Sequence, residues 1–519
     1  MDFRVLPYRT PIPNVPLSST VAYLLADNWN DYGFITQYRL VIQRGASFSQ
    51  EIGMLKVGEF DMDEEQVSPS IPTRFTQLSE QYFSLGQDEV YYSNLRALSS
   101  DERYDVLRAL RDVAADNDIL EDALDEPVMG VSLLRFVDRE TVKNQFRRIL
   151  SGGKVLTDFE FGFSVRPHEE SLSNLDFTFS VTAKSNPPTN THVIIGRNGV
   201  GKTTVLNVMA KSLSTNTSAQ GRFISHGSGN NYSAFAGIVS VAFSAFDPFE
   251  PLATRINKSR GTTYTYIGLK KALSSDQNQQ YKESRDYPMM SREELADMFG
   301  GSVRNILAQR GRSARWSRAL ATLSSDPIFA DHDFGSLSQL PTENITIAAK
   351  AKFDSLSSGH KIVLLTVARL IESVQERTLV LIDEPEAHLH PPLLSALMST
   401  LSDLLIDRNA VAIVATHSPV VLQEVPRNCV SILGRAGNFS TVQRPELETF
   451  GENVGVLTRE VFGLEVTNSG YHSRLNQALE ESGNDFELAV SLLGSSLGAE
   501  AKAILRTMSL ARKRRGLLR

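Results

Sequence analysis

Val193-Ile194-Ile195-Gly196-Arg197-Asn198-Gly199-Val200-Gly201-Lys202-Thr203 is the stretch from which the rest of the chain can be read. Three apolar residues, read as a strand, run into a loop that fits G-x-x-x-x-G-K-[ST] at every fixed position. Gly196, Gly199 and Gly201 let the backbone around Asn198 wrap a polyphosphate with its N–H groups turned inward. The residues after it, Thr204, Val205, Leu206, Val208 and Met209, read as a helix whose positive N-terminal end faces the same phosphates. Lys202 is placed to reach the β and γ phosphates, Thr203 to offer a hydroxyl to Mg²⁺, and Thr204 to add a contact to the α phosphate. A chance glycine-rich turn with a surface lysine would not bring a strand before it and a helix after it. The chain is expected to bind a nucleoside triphosphate.

Two further apolar runs end in groups that suit phosphoryl transfer. Leu379 to Ile382 reads as a strand buried on both faces and ends in Asp383-Glu384. Asp383 would hold Mg²⁺ through water, and Glu384 would polarise the attacking water. A solvated acidic turn accounts poorly for two carboxylates directly after four apolar residues. Val411 to Ala415 is a second such run, and it ends in Thr416-His417-Ser418-Pro419. A lone histidine is more often structural, but His417 follows a strand end, where ligands of open α/β sheets gather, so a γ-phosphate contact is expected. His388 and His390 lack a third ligand nearby in the sequence, and a zinc site is rejected.

Ahead of the acidic strand stands Leu356-Ser357-Ser358-Gly359-His360-Lys361, followed by an apolar helix through Val363, Leu364, Val367 and Leu370. In this order, over roughly residues 155 to 440, the motifs resemble the ABC-type ATPase head. The resemblance implies an α/β fold with a mixed sheet, namely an antiparallel β lobe plus a parallel core with helices, preceded by an N-terminal α/β unit and followed by a helical C-terminus. It implies ATP with Mg²⁺, hydrolysis, and a homodimer or higher homo-oligomer in which Ser357 and Gly359 of one chain touch the γ phosphate held by the other. Two signature positions depart from the family's usual pattern, with Ser358 in place of Gly and His360 in place of Gln. The family's glutamine after the phosphate loop is missing, and Ser244 or Asp247 could replace it.

Asp383-Glu384-Pro385-Glu386-Ala387-His388-Leu389-His390-Pro391 looks like the branch of RecF, the SMC and Rad50 heads and the overcoming-lysogenization-defect nucleases. The interval from Thr204 to Ser355 is too short for long coiled arms. After the head, Glu452, Glu460, Glu465 and Asp485 do not form the Glu and Asp-x-Asp set of a Toprim nuclease, so no intrinsic nuclease is expected. The arrangement is most similar to the stand-alone Septu ATPases of antiphage defence, which implies an HNH nuclease as partner. A RecF-like DNA-binding ATPase of repair or recombination is the alternative, and a transporter cassette is the weakest reading.

The 519 residues carry 53 Lys and Arg against 60 Asp and Glu, a net charge of −7, with 41% hydrophobic residues. Such a composition excludes disordered and fibrous classes. No apolar run approaches the roughly 18 residues of a membrane span, and the opening residues do not read as a secretory signal, so a cytoplasmic protein without a membrane partner is expected. With Cys429 the single cysteine, no intrachain disulfide can form. Three regions are expected: residues 1–153, an α/β unit with no readable chemistry; 154–440, the ATPase head, with a polar insertion at about 254–341; and 441–519, helical with a basic tail. Ser99 with Glu102 predicts a capped helix in the first region. Arg304, Arg310, Arg312, Arg315 and Arg318 around Trp316, together with the tail from Arg506 to Arg519, could track a DNA backbone.

Overall fold

In a computed structural model the chain is described over residues 1–13, 20–45, 48–62, 66–152, 156–166, 175–215, 221–225, 235–243, 263–271, 287–436, 439–462, 470–494 and 497–517. The first of its sheets has six strands in the order Arg74–Phe75, Asp2–Leu6, Val21–Ala26, Gln37–Arg44, Phe48–Glu59 and Tyr82–Gly86. Only Asp2–Leu6 and Val21–Ala26 run parallel. Short helices cover this sheet, and their start signals are visible in the sequence. Ser99 and Glu102 form the expected capping box on Ser100–Ala109, and Asp88 caps Glu89–Arg96. Gly53, at φ +143 in strand Phe48–Glu59, lets that strand pass close to Tyr91, whose Cα would lie 3.3 Å from any Cβ placed there.

Two sheets build the middle of the chain. Gly221–Ser225, Phe159–Val165 and Leu175–Val181 form an antiparallel lobe. Its alternating pattern turns phenylalanines to one side, where Phe161 packs on Phe179 and Phe235 at 4.9 Å and Phe163 on Phe223 at 4.6 Å. Burial of each such ring contributes about 1.5–3 kcal/mol. The second sheet has seven strands in the order Thr263–Gly268, Gly237–Ala242, Thr378–Asp383, Val411–Thr416, Thr191–Ile195, Val430–Ala436 and Phe439–Gln443. All are parallel except the last. Continuous apolar runs suit strands covered on both faces, and Thr378–Asp383, Val411–Thr416 and Thr191–Ile195 are buried throughout. The architecture is thus the expected α/β one, with an antiparallel lobe, a parallel core, helices, an N-terminal α/β unit and a helical C-terminal region.

Over its described part, the polar stretch expected to be an insertion packs into the head. Helices Arg292–Leu307 and Arg310–Leu323 place Phe299, Val303, Ile306, Trp316 and Leu323 in the same core as Val363, Leu364 and Val367 of helix Ser358–Ser373. Arg312 and Arg315, which by sequence could track a DNA backbone, are 4% and 8% exposed. They lie where the N-terminal unit meets the head. Arg315 pairs with Glu89 and Asp407, Arg408 reaches Glu89 at 2.6 Å, and Arg312 donates to the Phe136 carbonyl at 3.2 Å. Across the same seam Gln375 also donates to the Phe136 carbonyl, and Arg148 pairs with Glu376. A desolvated guanidinium needs such partners, so this cluster is an internal fastening and not a phosphate track.

Helices Tyr471–Glu481, Phe486–Leu493 and Ala499–Leu517 at the C-terminal end share a small core of Leu475, Leu479, Ala489 and Leu505. Arg512 of the basic tail is held by Asn476 and Asn484. Among the described residues no helix is long and apolar enough to cross a membrane.

Candidate nucleotide-binding site

Parallel strands deliver the candidate residues to one edge. Thr191–Ile195 leads into the glycine loop and then helix Lys202–Thr215. Gly199 and Gly201 have φ of +81 and +103, left-handed backbone that favours glycine, and nothing lies within 4 Å of where their Cβ atoms would be. Gly196 is required for a different reason. A Cβ there would come 2.3 Å from the Leu433 carbonyl of the neighbouring strand. Asn198 and Thr204 are exposed at the mouth of the loop.

Lys202 is 5% exposed, and its amine donates to the Gly196 and Arg197 carbonyls at 3.0 and 3.1 Å. Desolvation lowers its pKa, against the opposing pull of Glu384, Asp383 and Glu386. The amine therefore sits in its own loop, facing carboxylates that favour its charge.

Strand Thr378–Asp383 lies one strand away from the loop strand, with Val411–Thr416 between them. Its last residue, Asp383, is 4% exposed and accepts a 2.7 Å hydrogen bond from the Thr203 hydroxyl. These two groups are hard oxygen donors at the entry of a helix, and they fit Mg²⁺, which prefers one or two carboxylates plus phosphate oxygens. The next residue, Glu384, has φ +46, and its backbone N–H donates to the Ala415 carbonyl at 2.8 Å. This turn carries the Glu384 carboxylate to within 3.6 Å of the His417 Nδ1. A left-handed conformation in a glutamate is costly, by about 1–3 kcal/mol, and concentrates at functional positions.

Glu386 escaped the sequence reading. Its side-chain Oε1 accepts from the Thr416 hydroxyl at 2.6 Å and the His417 backbone N–H at 2.8 Å, and it lies 3.1 Å from the His417 Nδ1. One carboxylate thus holds the end of strand Val411–Thr416 and the imidazole beyond it. Its signal was the third acid in Asp383-Glu384-Pro385-Glu386, which cannot announce a cross-strand role by itself.

Gly196, Asn198, Gly199, Gly201, Lys202, Thr203, Thr204, Asp383, Glu384 and His417 are grouped by these elements at one end of the sheet. Ser357 and Gly359 form a second set at the N-terminus of helix Ser358–Ser373. The Ser357 hydroxyl meets the His360 Nδ1 at 2.6 Å, and a Cβ on Gly359 would come 2.7 Å from the His388 carbonyl. Ser244 and Asp247, expected as substitutes for the missing glutamine, lie outside the described residues, as does Glu465.

A protein-family model described as "AAA domain, putative AbiEii toxin, Type IV TA system" matches residues 304–423, from the arginine-bearing helices through Asp383 to beyond His417. Among solved structures, an ATP-binding cassette of an ABC transporter in its ADP conformation is 14% identical with a TM-score of 0.29, covering 60% of this chain and 98% of its own. UvrA2 from Deinococcus radiodurans is 18% identical with a TM-score of 0.25, covering 56% of this chain and 38% of its own. Protein ea59 of Escherichia phage lambda is 40% identical over 539 aligned residues, 99% of either chain. With identity of that extent along its whole length, the chain belongs to the family of the phage lambda protein ea59.

Proposed function

We propose that this protein hydrolyses ATP at the loop Gly196 to Thr204 and uses the cycle to open and close a dimer. The observation that carries the reading is the meeting of Thr203 and Asp383 beside Lys202, with Glu384 and His417 on the adjoining strand ends. Thr203 and Asp383 would hold Mg²⁺, which would supply positive charge against the phosphates. The loop N–H groups and the Lys202 amine bind and orient the phosphates, the amine leaving its carbonyl partners to do so. Glu384 takes the proton of the attacking water, and His417, held by Glu386, contacts the γ phosphate. Ser357 and Gly359 of a second copy complete the site, because a serine hydroxyl at a helix N-terminus suits a terminal phosphate.

The finer biological reading is that ATP state gates a partner HNH nuclease. It is supported by the resemblance in motif style and architecture to the stand-alone Septu ATPases. A full-length relative in a phage genome makes competing nucleic acid a fitting target for such a system. The RecF-like alternative loses its strongest sequence support, since Arg312 and Arg315 are buried at the seam.

Phosphate release and light scattering test the core of this reading. Wild-type protein should turn over Mg·ATP, Lys202→Ala should lose binding, and Glu384→Gln should accumulate as an ATP-bound dimer. A wild-type chain that neither binds nor hydrolyses ATP would overturn it. Affinity purification in ATP buffer, with mass spectrometry of stoichiometric partners, tests the gating.

A further inference from the structure

Behind Ser357 lies a three-residue relay. The Ser357 hydroxyl is 2.6 Å from the His360 Nδ1, and the His360 Nε2 is 3.3 Å from the Asp326 Oδ1. His360 is 6% exposed and has the Phe329 ring edge-on at 5.0 Å, whereas Ser357 is exposed. Asp326 is fixed in turn. Its Oδ1 caps helix Pro327–His332 by accepting from the Ile328 N–H at 2.9 Å, and its Oδ2 lies 3.7 Å from the His390 Nε2. Asp326 and His390, whose ring centroid lies 6.4 Å from that of His360, are the ionisable groups that face His360 among the described residues. Lys361, next in the chain, turns its amine away to the Asp354 carbonyl.

The donor and acceptor roles follow from chemistry. An ionised carboxylate only accepts, so the Nε2 facing Asp326 carries the ring proton. In a neutral ring Nδ1 is then bare, and at 2.6 Å it must accept from Ser357. The hydroxyl proton is thereby committed to His360. A phosphate oxygen is also an acceptor, so it cannot share that contact. It can be met if His360 takes a proton from solvent at Nδ1. Nδ1–H then donates to the serine oxygen, and the Ser357 O–H turns to the phosphate. The negative charge of the arriving phosphate favours the protonated ring.

We propose that His360 is a positioning residue that binds one solvent proton as the γ phosphate docks on Ser357, so that ATP-driven closure is coupled to proton uptake. The coupling rests on the composite-site reading given above. Sign follows from linkage. The closed form binds the extra proton, so closure strengthens as pH falls and weakens as it rises.

The test uses full-length protein carrying Glu384→Gln, with Mg·ATP-driven dimerisation measured by sedimentation from pH 6 to 8, the range in which histidine changes charge. The dimerisation constant should strengthen toward acid by up to about a hundredfold per pH unit, tenfold for the proton taken up at each of the dimer's two sites. Adding His360→Gln should retain the dimer and flatten that slope, with ATP's own titration common to both proteins. Equal slopes with and without His360→Gln overturn the proton coupling alone. A chain that stays monomeric at every pH overturns the composite site and the coupling with it.

Discussion

The hydroxyl of Thr203 donates to the carboxylate of Asp383 across 2.7 Å, joining positions 180 residues apart in the chain. The contact ties the start of the phosphate-loop helix to the end of a strand that is not its neighbour in the sheet. Removing the charge of Asp383 keeps an acceptor for Thr203 but weakens the hold on a divalent cation. Asp383→Asn should raise the Mg²⁺ concentration needed for half-maximal ATP turnover by about 10- to 100-fold. Titrating Mg²⁺ against phosphate release at saturating ATP checks this, and an unchanged requirement would remove Asp383 from the cation site.

Glu386 supplies a second expectation. Its Oε1 binds both Thr416 and the backbone of His417, so it orients the imidazole without standing at the loop itself. Glu386→Gln should lower turnover about 10- to 100-fold, in the manner of other residues that orient a functional group. ATP affinity should stay near wild type, because loop contacts are untouched. Parallel loss of binding, measured by calorimetry, would instead make Glu386 part of the phosphate cradle.

Legibility in the sequence followed locality. The loop Gly196 to Thr203 was readable because its chemistry needs adjacent residues, and Asp383-Glu384 because four apolar residues precede them. The helices from Arg292 to Leu323 were not, although Ala296, Phe299, Val303 and Ile306 recur at helical spacing and all are buried. Abundant Ser, Arg and Asn masked that stripe, and the arginines read as surface because their partners, Glu89 and Asp407, are far away in sequence. Nor could the helix-capping Asp326 be linked with His360, since only the fold brings a carboxylate 34 residues upstream against the ring.

The seam gives a stability prediction. Glu89 is paired with both Arg315 and Arg408, and despite burial these two charges bring its pKa down to about 2. Because the folded value lies below the ordinary one, this pairing stabilises the fold above about pH 4.5 and is lost as pH falls toward 2. Glu89→Ala leaves two buried guanidinium groups short of a partner and should cost about 3–5 kcal/mol. Arg318→Ala, on a side chain that is 62% exposed, should cost no more than about 0.5 kcal/mol. Denaturant midpoints of the two variants compare the sites directly, and equal losses would contradict the assignment of Arg315 and Arg408 to an internal fastening.

Asp112 sets an opposite pH dependence in the N-terminal unit. Its carboxyl is fully buried among the Tyr92 hydroxyl and the Ala114 and Ala115 N–H groups, and burial pushes its pKa up to about 7. Here the folded value lies above the ordinary 3.8, so the folded state holds the proton after the unfolded state has released it. Stability contributed by this group is fully present below about pH 4 and declines as pH rises to about 7. At about 1.36 kcal/mol per unit, the decline is on the order of 4 kcal/mol at most. Asp112→Asn mimics the neutral acid in shape and cannot ionise, so it should flatten the fall in unfolding free energy between pH 5 and 8. The asparagine N–H₂ faces the tyrosine hydroxyl, which can turn to accept, while its carbonyl keeps the backbone donors. A variant with the same pH slope as wild type would show that Asp112 is ionised in the folded protein throughout that range.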